Sequence, residues 1–236
     1  MPILGPLNIL ETGPDQTEAL WLRGGFPESF TAANDARSLR WRQNFIRAYL
    51  ERDIPQFGPR IATETLRRFW TMLAHHQGGL LNVAQLAGNL GVDAKTAQRY
   101  IDLLCALLLV RRLPAWHAKR GKRLVRSPKV YVRDSGLVHA LLDIESKETL
   151  LSHPVEGSSW EGFVVDNLLS CAPATVQGYF YRASGGAEVD LLLAWPGGRD
   201  LGHRSEALLE PQGGTRLSCR LRRLVACAQT GGLSGQ

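Results

Sequence analysis

At 236 residues, with 44% hydrophobic and 21% charged residues, the chain has the composition of a globular protein. Its length suits one large domain or two to three small ones. The longest apolar run, Leu103 to Val110, is too short to span a bilayer, and Met1-Pro2-Ile3-Leu4 lacks the basic head and apolar core of a secretory signal. Four cysteines without metal-ligand spacing point to a reduced, cytoplasmic setting without a membrane, and a net charge of +6 favours polyanionic partners.

In chain order, the stretch to about Glu18 reads as loop, punctuated by Gly5, Pro6, Gly13 and Pro14. A short helix from Ala19 ends at the Gly24-Gly25 pair. Ser38 is expected to cap a helix through about Arg52, with Trp41, Phe45, Ile46, Tyr49 and Leu50 at helical spacing. Three more helices follow. Thr65 to His75 buries Leu66, Phe69, Trp70 and Leu73; Asn82 caps a short second helix; Asp93 caps a third, from Ala94 to about Leu107. A short helix, a glycine turn and a following helix are the signature of a helix-turn-helix.

Strands at Leu108 to Leu113 and Lys129 to Arg133 then form a hairpin, the wing of a winged helix. The candidates for phosphate contacts on it are Lys119, Arg120, Lys122, Arg123, Arg126 and Lys129. Binding through them would weaken steeply with salt, because each neutralised phosphate releases counterions. On the third helix Lys95, Thr96, Gln98 and Arg99 lie nearest to base edges if that helix enters a major groove. Trp41, Trp70 and Trp116 read as packing residues.

Helices follow from Leu137 and from Trp160 to Leu169, then strands at Tyr179 to Ala183 and Glu188 to Trp195. Here a carboxylate site begins. Glu161 opens an apolar helix, and Glu188 and Asp190 share one strand face because alternate side chains do. Such oxygen donors suit magnesium. A metal-dependent nuclease would need a further acid and a lysine on the next strand. After Leu201 the expected third strand does not arrive, so the lysine has no counterpart.

The runs Leu20-Trp21-Leu22-Arg23-Gly24-Gly25-Phe26-Pro27, Tyr49 to Pro55, Leu66 to His75 and Trp160-Glu161-Gly162-Phe163, in that order, resemble a prokaryotic family of AAA-type ATPases with a C-terminal domain of unknown function. The resemblance implies a P-loop core, a lid, a winged helix and a region like the restriction endonucleases. In that region Glu161 would be the helix acid and Asp190 the strand acid. No G-x-x-x-x-G-K-[ST] occurs in this chain, so ATP would belong to full-length relatives only. Where the family's next strand reads Glu-x-Lys, residues 202–212 can be back-translated one nucleotide out of phase into such a motif, which implies a frameshifted tail.

The expected fold class is α+β: a mainly helical N-terminal half with a winged helix, then an incomplete endonuclease-like α/β domain. The expected divisions are 1–62 (lid remnant and linker helices), 63–136 (winged helix), 137–201 (truncated nuclease-like domain) and 202–236 (disordered tail). The expected activity is DNA or partner binding beside a degenerate catalytic pair, Glu161 and Asp190. The alternatives are an active metal-dependent nuclease with a substituted lysine, and a pure protein-interaction module.

Overall fold

A computed structural model describes residues 5–56, 62–116, 127–182 and 188–195, and the main chain of 205–209. The fold is α+β and mostly helical, with two small antiparallel sheets. Helices α1 (Ile9–Thr12), α2 (Thr17–Arg23), α3 (Pro27–Phe30) and α4 (Asp35–Ala48) come first. The opening is thus not all loop. Asn8 caps α1 through a reciprocal capping box with Glu11.

Helix α4 starts earlier than expected and at a different residue. The Asn34 side chain accepts from the Arg37 N–H and caps it, while Ser38 lies inside the helix, buried, its hydroxyl 2.9 Å from that of Ser29. The helix continues into a π-helical turn at Tyr49–Asp53.

The next segment runs helix, bridge, helix, helix and a pair of antiparallel strands. Helix α5 (Thr63–His75) is followed by a bridge at Leu80, then α6 (Val83–Leu90), α7 (Ala94–Ala106), β1 (Val110–Leu113) and β2 (Lys129–Val132). Asn82 and Asp93 cap α6 and α7 as their sequence positions imply, accepting from Gln85 N–H and Thr96 N–H. Strand β2 is paired on both sides. β1 runs antiparallel along one edge, with Val110 opposite Val132. On the other edge Gly78 donates to Val130 at 2.9 Å, and Val130 donates back to Gly79 at 3.0 Å. The positive φ of Gly78, +73°, lets the chain turn onto that edge. Where the main chain has left, the Gln77 amide continues the ladder. It donates to Val132 O at 3.0 Å and accepts from Val132 N at 2.8 Å.

Helices α8 (Ser135–Leu141), α9 (Lys147–Leu151) and α10 (Glu156–Cys171) lead to β3 (Gln177–Arg182) and β4 (Glu188–Ala194). Asp134 caps α8, accepting from Leu137 N–H, and its other oxygen accepts from Gly25 N–H at 2.8 Å. The buried Arg42 guanidinium donates to Leu22 and Gly136 carbonyls, fastening α4 to α2 and α8.

A third strand does arrive, which corrects the expectation of an unfinished sheet and a wholly disordered tail. β5 (Ser205–Leu209) runs antiparallel to β4, with Ala194 opposite Ser205 and Leu191 opposite Leu209. The central strand therefore has both edges paired, as its buried Leu191 and Leu193 require. The rest of the 202–236 tail lies outside the described residues. Among the described residues the buried apolar side chains form one cluster, from Ile9 to Leu193.

Candidate functional site

Helix α10 and strands β2 and β4 converge on one ammonium group. Lys129 Nζ lies 2.7 Å from Asp190 Oδ1, 3.0 Å from Glu161 Oε1 and 3.2 Å from Glu188 Oε1. Lys129 is only 4% exposed and Asp190 7%. The structure thus brings Glu161, Glu188 and Asp190 together around one ammonium group, with Glu188 and Asp190 on one strand face. Two expectations fail. The site does not lack a lysine, because β2 supplies it from the wing rather than the following strand. Lys129 is not a phosphate contact, because it is buried and bound to acids.

Local structure explains the convergence. Lys129 and Tyr131 sit two residues apart on β2 and so point the same way. Tyr131 Oη donates to Glu161 Oε1 at 2.5 Å. Glu161 reaches this pair because Gly162 lets α10 approach closely: a Cβ there would lie 2.4 Å from Gln77 Nε2 and 3.2 Å from Tyr131 Cδ1. Arg182, at the end of β3, stands 3.7 Å from the other Glu188 oxygen. The group lines an open cleft of about 340 Å³ that also meets Gly78 and Ser158.

Electrostatics follow from this geometry. Burial alone would lower the Lys129 pKa, but the charges and hydrogen bonds of Glu161 and Asp190 outweigh it and raise it. Burial pushes the Glu161 carboxyl above the ordinary carboxylate range, against the pull of Lys129. Burial and then the Glu161 charge hold Tyr131 protonated, with its pKa well raised. The phenol is thus a permanent donor to Glu161.

A magnesium ion here would call on Glu161, Glu188 and Asp190. Three carboxylates have the right chemistry, yet among the described residues no group of three His, Cys, Asp or Glu side chains is arranged to hold a metal ion. Glu161, Glu188 and Asp190 close around Lys129 Nζ, which occupies the space a cation would need. The arrangement neutralises acids with a side chain, and as it stands it does not fit the metal.

On α7, Ala97, Tyr100, Ile101 and Leu104 are buried and Lys95 and Arg99 are exposed. Thr96 is engaged by Asp93 through both its N–H and its hydroxyl, and Gln98 donates to Asp102 at 2.9 Å, so these two spend polar atoms locally. Lys119, Arg120, Lys122, Arg123 and Arg126 lie outside the described residues. Sequence reasoning missed Tyr131, Gln77 and Arg182. The available signal was a lysine heading the apolar run Val130-Tyr131-Val132, an environment that rejects a solvated charge.

A family model described as a domain of unknown function, DUF8612, matches residues 14–148. The chain belongs to that family. The match contains α5 to β2 with Lys129 and stops short of the three carboxylates. An uncharacterized protein of Mycobacterium tuberculosis and one of Mycobacterium bovis are each 46% identical over 195 residues, 82% of this chain. The chain spans 44% of the length of each. No solved structure matches it. The family shown thus has no assigned function and replaces the AAA-type ATPase resemblance. The lost ATPase core and the frameshifted tail, which follow from that resemblance, fall with it. Among the described residues no helix is long and apolar enough to cross a membrane.

Proposed function

We propose that this chain is a cytoplasmic nucleic-acid-binding module that docks on duplex DNA through its winged helix, with α7 in the major groove. The observation that carries the reading is the two-faced α7. One face is packed into the core, and the other holds Lys95 and Arg99 exposed in its N-terminal half, where a recognition helix meets bases and phosphates. The net charge of +6 supports a polyanionic partner, and the free Cys105 and Cys171 fit a reduced compartment. The carboxylate cluster has a structural role in this reading, with Lys129 as its internal counter-ion.

Fluorescence anisotropy with a labelled duplex tests it. Lys95→Glu with Arg99→Glu is expected to weaken binding about tenfold or more and to flatten the salt dependence by about one unit of slope per lost phosphate contact. Duplex affinity unchanged by both reversals sinks the proposal.

One observation favours a second reading, a hydrolytic cleft: the ammonium of Lys129 stands beside Asp190. Cleavage of plasmid DNA by the purified chain, lost in Asp190→Asn, would support that reading. Intact plasmid under the same conditions would dismiss it.

A further inference from the structure

The cleft beside the carboxylate cluster holds chemistry that the fold does not use up. Lys129 Nζ has three protons and turns them to Asp190 Oδ1, Glu161 Oε1 and Glu188 Oε1. The ammonium is therefore saturated, and it meets each acid at one oxygen. Asp190 Oδ2 and Glu161 Oε2 have no hydrogen-bond partner among the described residues. Neither atom is sealed off from solvent. Asp190 is only 7% exposed and lines the cleft, so its second oxygen opens into that space.

Charge points the same way. Three carboxylates face two cations, Lys129 and Arg182, and Arg182 stands off at 3.7 Å from Glu188 with its side chain 47% exposed. One negative charge is left over. The Glu161 carboxyl registers the shortfall. Burial, with the Asp190 charge behind it, raises its pKa although Lys129 pulls the other way.

A ligand for this surface must bring positive charge and N–H donors, because the free carboxylate oxygens only accept. A metal ion needs the point between the three acids, where Lys129 Nζ already stands. An ammonium or guanidinium head docks from the open side and leaves Lys129 in place. The carboxyl groups of Asp190 and Glu161 are tied to one nitrogen at 2.7 and 3.0 Å, close enough for a single head group to meet both. The cleft, about 340 Å³, has the volume of a small-molecule site. We propose that it binds a small organic cation of the primary ammonium or guanidinium class through Asp190 Oδ2 and Glu161 Oε2. The site is independent of α7, and Lys129 keeps its role as internal counter-ion beside it.

Calorimetric titration of the full chain at low salt tests the site with agmatine, which carries both head groups, and with putrescine, which carries ammonium groups alone. Saturable binding of agmatine only supports a guanidinium site, and equal binding of both supports an ammonium site. Asp190→Asn is expected to weaken binding roughly ten- to a hundredfold, as the loss of a charged hydrogen-bond partner does. Arg182→Ala removes the exposed rim cation and should tighten binding by about two- to fivefold. Tetramethylammonium has the charge without N–H donors and should not compete. A folded Asp190→Asn protein that binds agmatine like the wild type overturns the site. If Asp190→Asn does not fold, Glu161→Gln decides in the same way. No saturable heat from either probe, displacement of agmatine by magnesium, or tetramethylammonium binding as well as agmatine also overturns it.

Discussion

Lys129 and Asp190 meet at 2.7 Å across the seam between the wing strand β2 and the second sheet, and both are buried. An ammonium group out of water is tolerable only with matching charge and satisfied hydrogen bonds. Three carboxylates supply the charge, and the Tyr131 hydroxyl takes up part of the Glu161 hydrogen-bonding capacity. The cluster therefore joins the hairpin, α10 and β4 as one unit.

Lys129→Met tests that unit. Methionine replaces the lysine stem but leaves three acids without their counter-ion. Removing one side of a buried ion pair costs about 3–5 kcal/mol. Urea denaturation should show a loss of that order. Adding Glu161→Gln and Asp190→Asn should recover a good part of it, because the charges that lack a partner are then gone. A Lys129→Met protein as stable as the wild type would show that the cluster carries little.

How far such features can be read in advance depends on the range of the forces involved. The caps at Asn82 and Asp93 are legible because a short polar side chain bonds an N–H three residues on. The Ser38 reading failed inside the same local logic: Asn34 offers a competing cap one turn earlier, and Ser29 gives the Ser38 hydroxyl another partner. The role of Lys129 could not be read locally. Its partners arrive from 32 and 61 residues away, and beside a cationic loop a lysine looks like one more solvated charge. β5 was missed because Ser-Glu-Ala-Leu-Leu carries little strand pattern of its own. The pairing comes from the open edge of β4. In the carboxylate site the acids were legible and the cation was not.

Gln77 offers a second stability test. Its amide makes two bonds to the Val132 main chain, both buried. Gln77→Leu leaves a buried N–H and a buried carbonyl unmet, at about 1–3 kcal/mol for each group. Gln77→Glu keeps the shape and one of the bonds, but sets a carboxylate oxygen against the Val132 carbonyl. Both variants should melt earlier than the wild type, with hydrogen exchange at Val132 accelerated. Unchanged exchange there would contradict the clasp.

His139 sets a dependence on pH. Its Nδ1 faces the Leu22 carbonyl at 3.0 Å, and a carbonyl only accepts, so Nδ1 carries the proton. Its Nε2 then accepts from the Ser159 hydroxyl at 2.7 Å, and Ser159 Oγ accepts from Trp21 Nε1–H at 3.1 Å. The ring is neutral, and burial pulls its pKa from 6.5 down to about 3. With the folded value below the unfolded one, acid protonates the unfolded chain first. Stability is therefore lost as pH falls from 6.5 towards 3, by about 1.4 kcal/mol per pH unit for one proton. Asp134 and Glu161 act in the opposite sense. Burial raises their folded pKa values, so the folded state takes up their protons first, and that contribution is lost as pH rises through the folded values. A comparison with His139→Gln isolates the histidine. The stability advantage of the wild type over that variant should shrink steadily below pH 6.5. An advantage constant down to pH 4 would show that His139 does not resist protonation.

Two glycines of α10 should respond in opposite directions to the same change. At Gly157 an added Cβ meets nothing within 4 Å, and the backbone is helical. Alanine there restricts the unfolded chain and should stabilise by about 0.4–1 kcal/mol. At Gly162 the Cβ would lie 2.4 Å from Gln77 Nε2. The amide is tied to Val132 at both ends and cannot retreat without losing those bonds, so α10 must move outward instead. That movement carries Glu161 away from Lys129 and Tyr131, and Gly162→Ala should lose about 1–3 kcal/mol, as overpacked cores do. Paired urea titrations of the two variants decide the matter. If Gly162→Ala were neutral, Gln77 would have to be freer than its two bonds imply, and the close approach of α10 would not be what delivers Glu161 to the cluster.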